Sequence, residues 1–252
     1  MKINRKEAEN SKELKLWAHP KTHAKVLEVF AGFKQKGRVL DMAAGEGSLS
    51  LNLQGFGFDV SACDIDPENF KVDRVECTKC NLDEKLPFED KLFDYLVCIE
   101  GIEHLENQFS FIRECHRILK KGGKLVITTP NILGLASRLK YFFTGFFPLV
   151  QRPINEFIRC RLHDHINPIT YYQLRYILHT NGFEIEEVTT DRHRTSSSLL
   201  VWLYPFLRIS TRSTMKKEAD PKQREANKVI RRHINSKALL LGRTLIVTAR
   251  SL

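Results

Sequence analysis

Two carboxylates and an imidazole come directly after a predicted buried strand near the middle of the chain. The apolar run FDYLVC, residues 93–98, leads into Glu100, Glu103 and His104. An unpaired charge is expensive to bury, so these side chains are expected to be solvated, paired or bound to a ligand. In one interpretation they only order the loop, with Glu103 capping the following helix and His104 packing. In the other interpretation they bind a divalent metal ion.

A metal site at this position would take its ligands from oxygen and nitrogen atoms. Glu100, Glu103 and His104 lie within a single turn, and the later segment HDHINPIT offers another imidazole, for which we select His165. A mixed carboxylate and imidazole set suits Mg²⁺, Mn²⁺, Fe²⁺ or Zn²⁺ better than a thiolate site would. Without a metal, His104 or His165 could act as a general base towards a hydroxyl group.

A glycine-containing loop earlier in the chain has the features of a nucleotide-binding turn. In VLDMAAGEGSLS, Gly45 and Gly47 stand between a predicted strand and the start of a helix. Glycine lets the backbone approach a ligand closely, and a helix N-terminus offers free N–H groups. Asp64 ends the next predicted strand, where a carboxylate can bind both hydroxyls of a ribose. The G-x-G-x-x-G spacing of NAD enzymes is absent, so another nucleoside cofactor is expected.

The elements that must position these residues alternate between strands and helices. A 3.6-residue apolar period predicts a helix over QFSFIRECHRILKK, closed by the basic residues Lys120 and Lys121 and by the glycines that follow. Short apolar runs predict strands over residues 37–42, 58–64, 74–80, 93–99, 124–130, 183–190 and 243–250. Further helices are predicted over about 22–33, 48–54 and 170–182.

Strands that alternate with helices predict a parallel sheet with helices on both faces. We expect the whole chain to form one domain. Its parts are N-terminal helices (1–36), a cofactor-binding core (37–131), a lid and substrate region (132–168), a helix and strand (169–191), a basic insertion with an apolar anchor (192–236) and the last strand (237–252).

These motifs, taken in order, resemble the class I S-adenosylmethionine-dependent methyltransferases. The matching text is VLDMAAGEG, DVSACDIDPE, NLDEKLPFEDKLFDYLVC, IEHLEN, RECHRILKKGGKLVITTPN and HINPITYYQLRYILHTNGFEIEEV, over roughly residues 37 to 190. The resemblance implies an α/β fold: a Rossmann-like, doubly wound, mostly parallel seven-stranded sheet with an antiparallel last strand and helices on both faces. It also implies S-adenosylmethionine as the cofactor.

In that family the first-strand acid and the glycine loop hold the methionine end of the cofactor. The resemblance therefore assigns this role to Asp41, Gly45 and Gly47. Ala43 takes the place of the usual first glycine of the loop. It adds only a methyl group there, and we expect the substitution to be tolerated.

The nucleoside end of the cofactor is assigned by the same resemblance. Asp64 would hold the ribose, and Asn81 stands where the family has an acid for the adenine amino group. The amide oxygen of Asn81 can still accept a hydrogen bond from that amino group. Three apolar positions complete the expected cofactor pocket: Ile65, Leu82 and Ile99.

The E-x-x-E-H motif resembles that of small-RNA 2′-O-methyltransferases and of ubiquinone-pathway O-methyltransferases. There the motif and later residues bind a metal beside the methyl donor, so the resemblance implies Glu100, Glu103, His104 and His165 as ligands here. Such an ion would chelate neighbouring hydroxyls and lower the pKa of the attacking one. The residues alone leave the metal site, the metal-free base and the loop-ordering role open.

We therefore expect a methyltransferase that acts on oxygen. A likeness to bacterial enzymes found with glycan synthesis points to a glycan, glycolipid or isoprenoid-linked small molecule as the acceptor. The alternative acceptor is an RNA 2′-hydroxyl, which the metal motif favours, although no separate RNA-binding domain is evident. A hypothesis of another class is a non-catalytic partner protein that binds S-adenosylmethionine, and the intact donor loop argues against it.

Positive charge is concentrated in the last quarter of the chain. Residues 192–252 carry 14 Lys and Arg against 3 Asp and Glu, a net of +11, so the first 191 residues contribute −1 to the total of +10. The stretch LLVWLYPFL, residues 199–207, is too short to span a bilayer and is followed by a basic arm. Together they predict contact with an anionic membrane surface through residues 199–236, with RNA phosphates as the alternative.

Two further expectations concern the lid and the cellular location. The aromatic residues from Tyr141 to Phe147 predict a greasy lid over the active site. The opening MKINRKEAENSKE is charged throughout, and the six cysteines show no paired framework. We therefore expect a cytoplasmic location with free thiols, peripheral on the membrane if the basic arm binds lipid.

Overall fold

The computed structural model describes residues 14–147, Phe157 and 164–252. At its centre is a seven-stranded sheet of order β3-β2-β1-β4-β5-β7-β6. The strands are β1 (Arg38–Met42), β2 (Asp59–Asp64), β3 (Cys77–Lys79), β4 (Phe93–Ile99), β5 (Leu119–Pro130), β6 (Phe183–Thr190) and β7 (Thr244–Ser251). The first five strands pair in parallel, whereas β7 runs antiparallel between β5 and β6. The predicted Rossmann-like fold with an antiparallel last strand is confirmed.

Helices connect and cover these strands. In the described part of the chain they are α1 (Pro20–Ala31), α2 (Ser48–Gly55), α3 (Gln108–Ile118), α4 (Leu135–Thr144), α5 (Tyr171–Thr180), α6 (Thr195–Ser198), α7 (Tyr204–Thr214), α8 (Pro221–Ile234) and α9 (Lys237–Leu241). Local sequence explains several starts: Asn107 caps α3 through Ser110 N, and Thr170 forms a capping box with Gln173 at α5.

Helix α3 ends earlier than the sequence predicts. Lys120 and Lys121 lie in β5, not in the last turn of the helix, so that prediction is wrong. Leu119 is 1% exposed and pairs with Phe93 of β4, which draws the chain into the sheet directly after the helix. The third strand is also shorter than predicted, since β3 covers only Cys77–Lys79.

The central strands β1 and β4 are buried on both faces, as expected for parallel strands covered by helices, whereas the edge strands β3 and β6 are partly exposed. On one face Leu40 and Met42 of β1 pack in a core with residues of α3 and α5. On the other face Val39 packs with Phe30 of α1 and Leu53 of α2. Because both faces of β1 and β4 are occupied, the polar groups of the candidate site collect at the ends of these strands.

A helical insertion separates β6 from β7, although these strands are neighbours in the sheet. It comprises α6 to α9, and its two ends meet through backbone hydrogen bonds. Arg243 N donates to Arg192 O over 2.9 Å, and Arg194 N donates to Leu241 O over 2.7 Å. None of the helices described is both long and apolar enough to cross a bilayer.

Candidate active site

The predicted glycine loop lies where the strand order reverses. β1 pairs with β2 on one side and with β4 on the other, so Met42 is opposite both Cys63 and Cys98. Ligands of open α/β sheets bind in the crevice at the carboxyl ends of such strands. Gly45 and Gly47 have φ values of 55° and 89°, and Gly47 is the N-cap of α2. The loop therefore presents a helix N-terminus to this crevice.

Both glycines are in close contact with neighbouring side chains. A Cβ on Gly45 would lie 2.5 Å from Cδ1 of Trp17, and one on Gly47 would lie 2.6 Å from Cε2 of Phe70. These distances are too short for any side chain, and the left-handed φ angles also favour glycine. The loop conformation thus requires glycine at both positions.

Ala43 occupies the left-handed region with a φ of 58°. That conformation costs an L-residue roughly 1–2 kcal/mol. Alanine is therefore accommodated at position 43 only with a strained backbone. The loop that follows β4 packs here, because a Cβ on Gly101 would lie 3.5 Å from Cβ of Ala43. The donor loop and the loop with the charged cluster are therefore in direct proximity.

Asp41 is buried at the end of β1, only 2% exposed. Its Oδ2 accepts a hydrogen bond of 2.7 Å from Ser50 Oγ of α2. Burial raises the pKa of Asp41 to about 7, against the opposing effect of the Ser50 hydrogen bond, and nearby Asp64 raises it further. A cationic group bound beside this carboxyl would favour its ionised form.

Asp64 and Asn81 lie at the ends of neighbouring strands β2 and β3. The carboxylate of Asp64 accepts from Gly45 N over 2.9 Å and from Asp66 N over 3.0 Å, which ties β2 to the glycine loop. Asn81 Oδ1 accepts from Asp83 N over 3.1 Å. Of the expected apolar contacts, Ile65 is 44% exposed, while Leu82 is buried and Ile99 partly so. The assigned ribose and adenine roles stay predictions.

Glu103 is the most deeply buried member of the charged cluster, with 0% exposure. Its Oε2 accepts from Thr129 Oγ1 over 3.1 Å, and its Oε1 has no hydrogen-bond partner among the residues described. Burial raises the pKa of Glu103 to about 8, and nearby Glu100 adds to the increase. The loop-ordering interpretation gave Glu103 the helix cap, but the cap of α3 is Asn107.

His104 and His165 approach each other beside this carboxyl. Their ring centroids are 4.9 Å apart and the rings are nearly perpendicular. Nδ1 of His104 lies 2.9 Å from the backbone oxygen of Asp164, a contact that selects the tautomer with the proton on Nδ1. Burial lowers the pKa of His165, and His104 lowers it further, whereas Asp164 opposes the decrease; the net effect favours the neutral imidazole.

Glu103, His104 and His165 form one compact ligand set. One possible ligand atom from each lies within 4.8 Å of the others. A small cavity of about 10 Å³, close to the room that one water needs, is lined by Glu103 and His165. The other lining residues are Thr129, Pro130, Ile132, Phe147 and Pro168.

Glu100 lies apart from this set. Its φ is 48°, and its Oε1 accepts from Thr244 Oγ1 over 3.4 Å. Burial raises the pKa of Glu100, as does Asp191, whereas Arg192 and Arg243 oppose the increase. The structure thus brings together three of the four predicted metal ligands and directs the fourth towards β7.

Only part of the predicted lid lies within the described residues. Phe142 and Phe143 of α4 are 80% and 73% exposed, whereas Phe147 lines the small cavity. Residues 148–156 and 158–163 of the predicted lid region lie outside the described residues. A lid function therefore stays a prediction.

Several residues of the site were missed by sequence reasoning. Thr129 could have been found, because β4 and β5 are parallel neighbours with Ile99 opposite Thr128, so their ends meet. Asp164 acts through its backbone oxygen, and Trp17 reaches Gly45 from outside the sheet. Neither contact leaves a signal in residue type or spacing.

Comparison with known proteins identifies a methyltransferase family over most of the chain, in agreement with the resemblance seen in the sequence. Residues 14–188 match the profile of a family described as a methyltransferase domain. A mitochondrial ubiquinone biosynthesis O-methyltransferase of Rattus norvegicus is 29% identical over 167 residues, 60% of this chain and 45% of the relative. A Xanthomonas oryzae ubiquinone biosynthesis O-methyltransferase is 36% identical over 103 residues, 37% of this chain and 43% of the relative. The chain thus spans about half the length of these curated relatives or less.

The fold has close counterparts among solved structures. A SAM-dependent methyltransferase from Archaeoglobus fulgidus superposes with a TM-score of 0.58 at 20% identity, over 91% of this chain and 92% of that chain. An S-adenosylmethionine-dependent methyltransferase from Mesorhizobium loti gives a TM-score of 0.54 at 15% identity, over 91% of this chain and 97% of that chain. At such identities the likeness establishes the fold.

Proposed function

Because the chain belongs to the class I S-adenosylmethionine-dependent methyltransferase family, we propose that it transfers a methyl group to an oxygen atom of its acceptor. The observation that carries this proposal is the convergence of Glu103, His104 and His165, within 4.8 Å of one another, next to the loop expected to hold the donor. Transfer to a hydroxyl needs a group that removes its proton, and imidazoles are suited to that task. The similarity to relatives named as O-methyltransferases supports the same choice.

The donor would be held by the residues at the ends of β1, β2 and β3. Asp41 would face the methionine ammonium group, the N–H groups at the start of α2 would meet its carboxylate, and Asp64 would bind the ribose. Asp41 is buried and otherwise hydrogen-bonded only to Ser50 among the residues described, which leaves it able to compensate a cation. The exposed Ile65 would provide an apolar contact for the adenine ring.

The proton balance of the reaction gives the histidines their role. As the acceptor oxygen bonds to the methyl carbon, the carbon–sulfur bond breaks and its electrons stay on sulfur. The hydroxyl proton must then leave the acceptor. His165, whose neutral form burial favours, can accept it, and His104 is fixed in one tautomer by Asp164 O. The sulfonium is already a strong electrophile, so alignment and proton removal are the main tasks of the protein.

The same three residues fit a divalent metal ion. Glu103 Oε1 is buried without a hydrogen-bond partner in the described part of the chain, and two imidazoles lie beside it. Such an oxygen–nitrogen set suits Mg²⁺, Mn²⁺, Fe²⁺ or Zn²⁺. We propose Glu103, His104 and His165 as ligands, with Glu100 as a more distant member. When bound, the ion would lower the pKa of a coordinated acceptor hydroxyl.

Metal content after purification, and activity with and without EDTA, would test this part of the proposal. A Glu103→Gln variant should lose metal binding, whereas Glu89→Gln, which changes an exposed carboxylate, should retain it. Full activity in a metal-free preparation would show that the histidines work without an ion.

The acceptor we propose is a glycan, glycolipid or isoprenoid-linked small molecule. Arg192 is ion-paired with Asp191, so the positive charge that borders the site comes from Arg243, which is exposed and acts on the ionisation of Glu100. An acceptor with an anionic group, such as the phosphate of an isoprenoid-linked sugar, would be attracted there. The cytoplasmic location expected from the sequence goes with this proposal.

Transfer of labelled methyl groups from S-adenosylmethionine into fractionated lipid, glycan and RNA pools would identify the acceptor class. Label in the lipid or glycan pool supports the proposal. Label in RNA would support the second candidate, an RNA 2′-O-methyltransferase, for which the Glu103, His104 and His165 set is the favouring observation. No transfer, despite cofactor binding, would support a non-catalytic binding protein.

A further inference from the structure

We propose that this protein docks on an anionic lipid bilayer through a surface formed by α4 and the segment 199–209. We call this the docking surface and define it by six exposed apolar residues: Phe142, Phe143, Leu199, Trp202, Phe206 and Ile209. Docking itself does not depend on the chemistry of the acceptor.

One half of the docking surface is a helical stripe. Trp202, Phe206 and Ile209 are 66%, 67% and 69% exposed. Trp202 lies in a short 3-10 helix, Val201–Leu203, that leads directly into α7. The spacing of four and three residues places the three side chains on one side of this continuous helical stretch. None of the residues of α7 is buried, so the helix does not contribute to the core. An amphipathic helix with an exposed apolar side is suited to lie in the interface of a bilayer.

The other half lies on a neighbouring helix. Phe142 and Phe143 at the end of α4 are 80% and 73% exposed and touch each other edge to face. Ala136 N of α4 donates to Ser197 Oγ of α6 over 3.3 Å. Helix α6 leads directly to Leu199, which is 75% exposed. The two apolar segments are far apart in sequence, but the contact between α4 and α6 brings them into the same part of the molecule.

The docking segment 199–209 continues into a basic arm whose charge complements anionic lipid. Residues 199–236 contain 9 Lys and Arg against 3 Asp and Glu, a net of +6. Arg208 and Arg212 lie within α7 and are exposed. Each basic residue close to an anionic bilayer contributes about 1 kcal/mol to binding. Apolar insertion and charge attraction would therefore act together.

The composition favours lipid over two other occupants. RNA stacks on aromatic rings and pairs with basic groups, but Leu199 and Ile209 offer no plane for stacking. A second copy in a symmetric contact would place one basic segment against another, which like charges oppose. Aliphatic and aromatic side chains next to basic residues match the acyl and headgroup layers of a membrane.

The docking surface is connected to the candidate active site. Tyr141 of α4 stacks on Phe147 with ring centroids 4.5 Å apart, and Phe147 lines the cavity beside Glu103 and His165. Docking would therefore bring the site close to the lipid headgroups. This last step rests on the proposed function, because it matters only if the acceptor is carried by a lipid.

Co-sedimentation of the full chain with vesicles, without cofactor or acceptor, tests docking directly. We expect binding to vesicles of phosphatidylcholine and phosphatidylglycerol, and at least tenfold weaker binding to phosphatidylcholine alone or in high salt. A Trp202→Ser, Phe206→Ser, Ile209→Ser variant should bind at least tenfold more weakly. The matched control is Tyr172→Ser, Tyr176→Ser, which removes two aromatic residues of α5 that are 49% and 55% exposed.

A second pair of variants separates the effect of charge. Arg208→Glu with Arg212→Glu should weaken binding, whereas Lys34→Glu with Lys85→Glu, on other exposed positions, should not. Circular dichroism and the melting temperature establish that each variant is folded. Equal binding by the apolar variant and the wild type would overturn the proposal, as would equal binding to neutral and anionic vesicles. An RNA gel shift without vesicle binding would also overturn it. Because no methyl transfer is measured, these failures would leave the proposed reaction untouched.

Discussion

Ala43 and Glu100 are non-glycine residues in the left-handed region, and both lie beside the candidate active site. Each conformation is held by its surroundings: Glu100 N donates to Thr128 O over 3.1 Å, and the loop of Gly101 packs near Ala43. Strained backbone of this kind often occurs at functional sites, where neighbouring contacts determine the conformation. Here the strain fixes where the ends of β1 and β4 face each other.

Exchanging alanine and glycine in the donor loop should change stability in opposite directions. Ala43→Gly removes the left-handed penalty and should raise the free energy of unfolding by about 1 kcal/mol. Gly45→Ala adds such a penalty and a contact of 2.5 Å with Trp17, so it should lower that free energy by more than 1 kcal/mol. Urea unfolding of both variants measures the difference. Equal effects of the two changes would contradict the geometry of the loop.

Asp41 should make stability depend on pH. Its pKa rises from 3.8 to about 7 on folding, so between these pH values the folded state holds a proton that the unfolded state has lost. Stability from this group is therefore fully present below about pH 4 and falls as the pH rises towards 7, by on the order of a few kcal/mol. Above pH 7 the change should level off.

The Asp41→Asn variant isolates most of this contribution, since carboxyls remote from residue 41 contribute equally in both proteins. We expect the difference in melting temperature between variant and wild type to grow from pH 4 to pH 7 in favour of the variant. A difference that is independent of pH would exclude a raised pKa for Asp41.

At the level of elements, most residues of the candidate active site lie at the carboxyl ends of four neighbouring strands, β1 to β4. The positions of the strands along the chain and the glycine loop could be predicted, because apolar runs and glycine spacing are local signals. The end of α3 could not, since burial of Leu119 and its pairing with Phe93 override the basic and glycine stop signals. His165 was predicted as a partner of Glu103 from its residue type, whereas the contact of His104 with the backbone oxygen of Asp164 arises from tertiary packing and leaves no signal in the sequence. Pattern predicts where a residue lies, and packing decides what it touches.

The start of α5 offers a test at this scale. Thr170 Oγ1 accepts from Gln173 N, and the Gln173 side chain accepts from Thr170 N, which completes a capping box. Thr170→Ala should lower the free energy of unfolding by about 1 kcal/mol, whereas Thr170→Ser should keep most of it. Chemical denaturation of both variants checks this expectation. A serine variant as unstable as the alanine variant would contradict the cap.

Asn131 joins the end of β5 to the insertion. Its buried Nδ2 donates to Leu239 O and to Gly242 O, each over 2.8 Å. Asn131→Ala would leave both carbonyls unpaired, and we expect a loss of roughly 2–3 kcal/mol in the free energy of unfolding. Asn181→Ala, which removes a partly exposed amide bonded to Ile177 O, is the comparison and should cost less. Thermal and urea unfolding should rank the two variants in this order.

At the scale of the whole molecule, the residues predicted to bind the methyl donor and those proposed to bind lipid lie at different halves of the sheet. The predicted cofactor residues lie on the half formed by β1 to β4. The half formed by β5, β7 and β6 adjoins the insertion and its docking surface. Methyl-donor binding and lipid binding should therefore be affected by different substitutions.

Hydrogen exchange should show this division directly. Amides of α7, a helix without buried residues, should exchange much faster than those of β4, whose strand is almost entirely buried. Anionic vesicles should slow exchange in α7 and leave β4 unchanged, whereas S-adenosylmethionine should protect the ends of β1 and β2. Protection of α7 in the absence of vesicles would indicate that something else covers it.

The meeting of the two ends of the insertion has a consequence for how the chain folds. β6 and β7 are antiparallel neighbours, as in a hairpin, but the connection between them is the long segment 191–243. Closing a loop of about 50 residues, instead of one of about 4, costs roughly 2 kcal/mol of chain entropy. The pairing of β6 with β7 is therefore expected to come late, after β1, β4 and β5 have assembled. The backbone hydrogen bonds between Arg243 and Arg192 and between Arg194 and Leu241, where the two ends of the insertion meet, would then form last and complete the sheet.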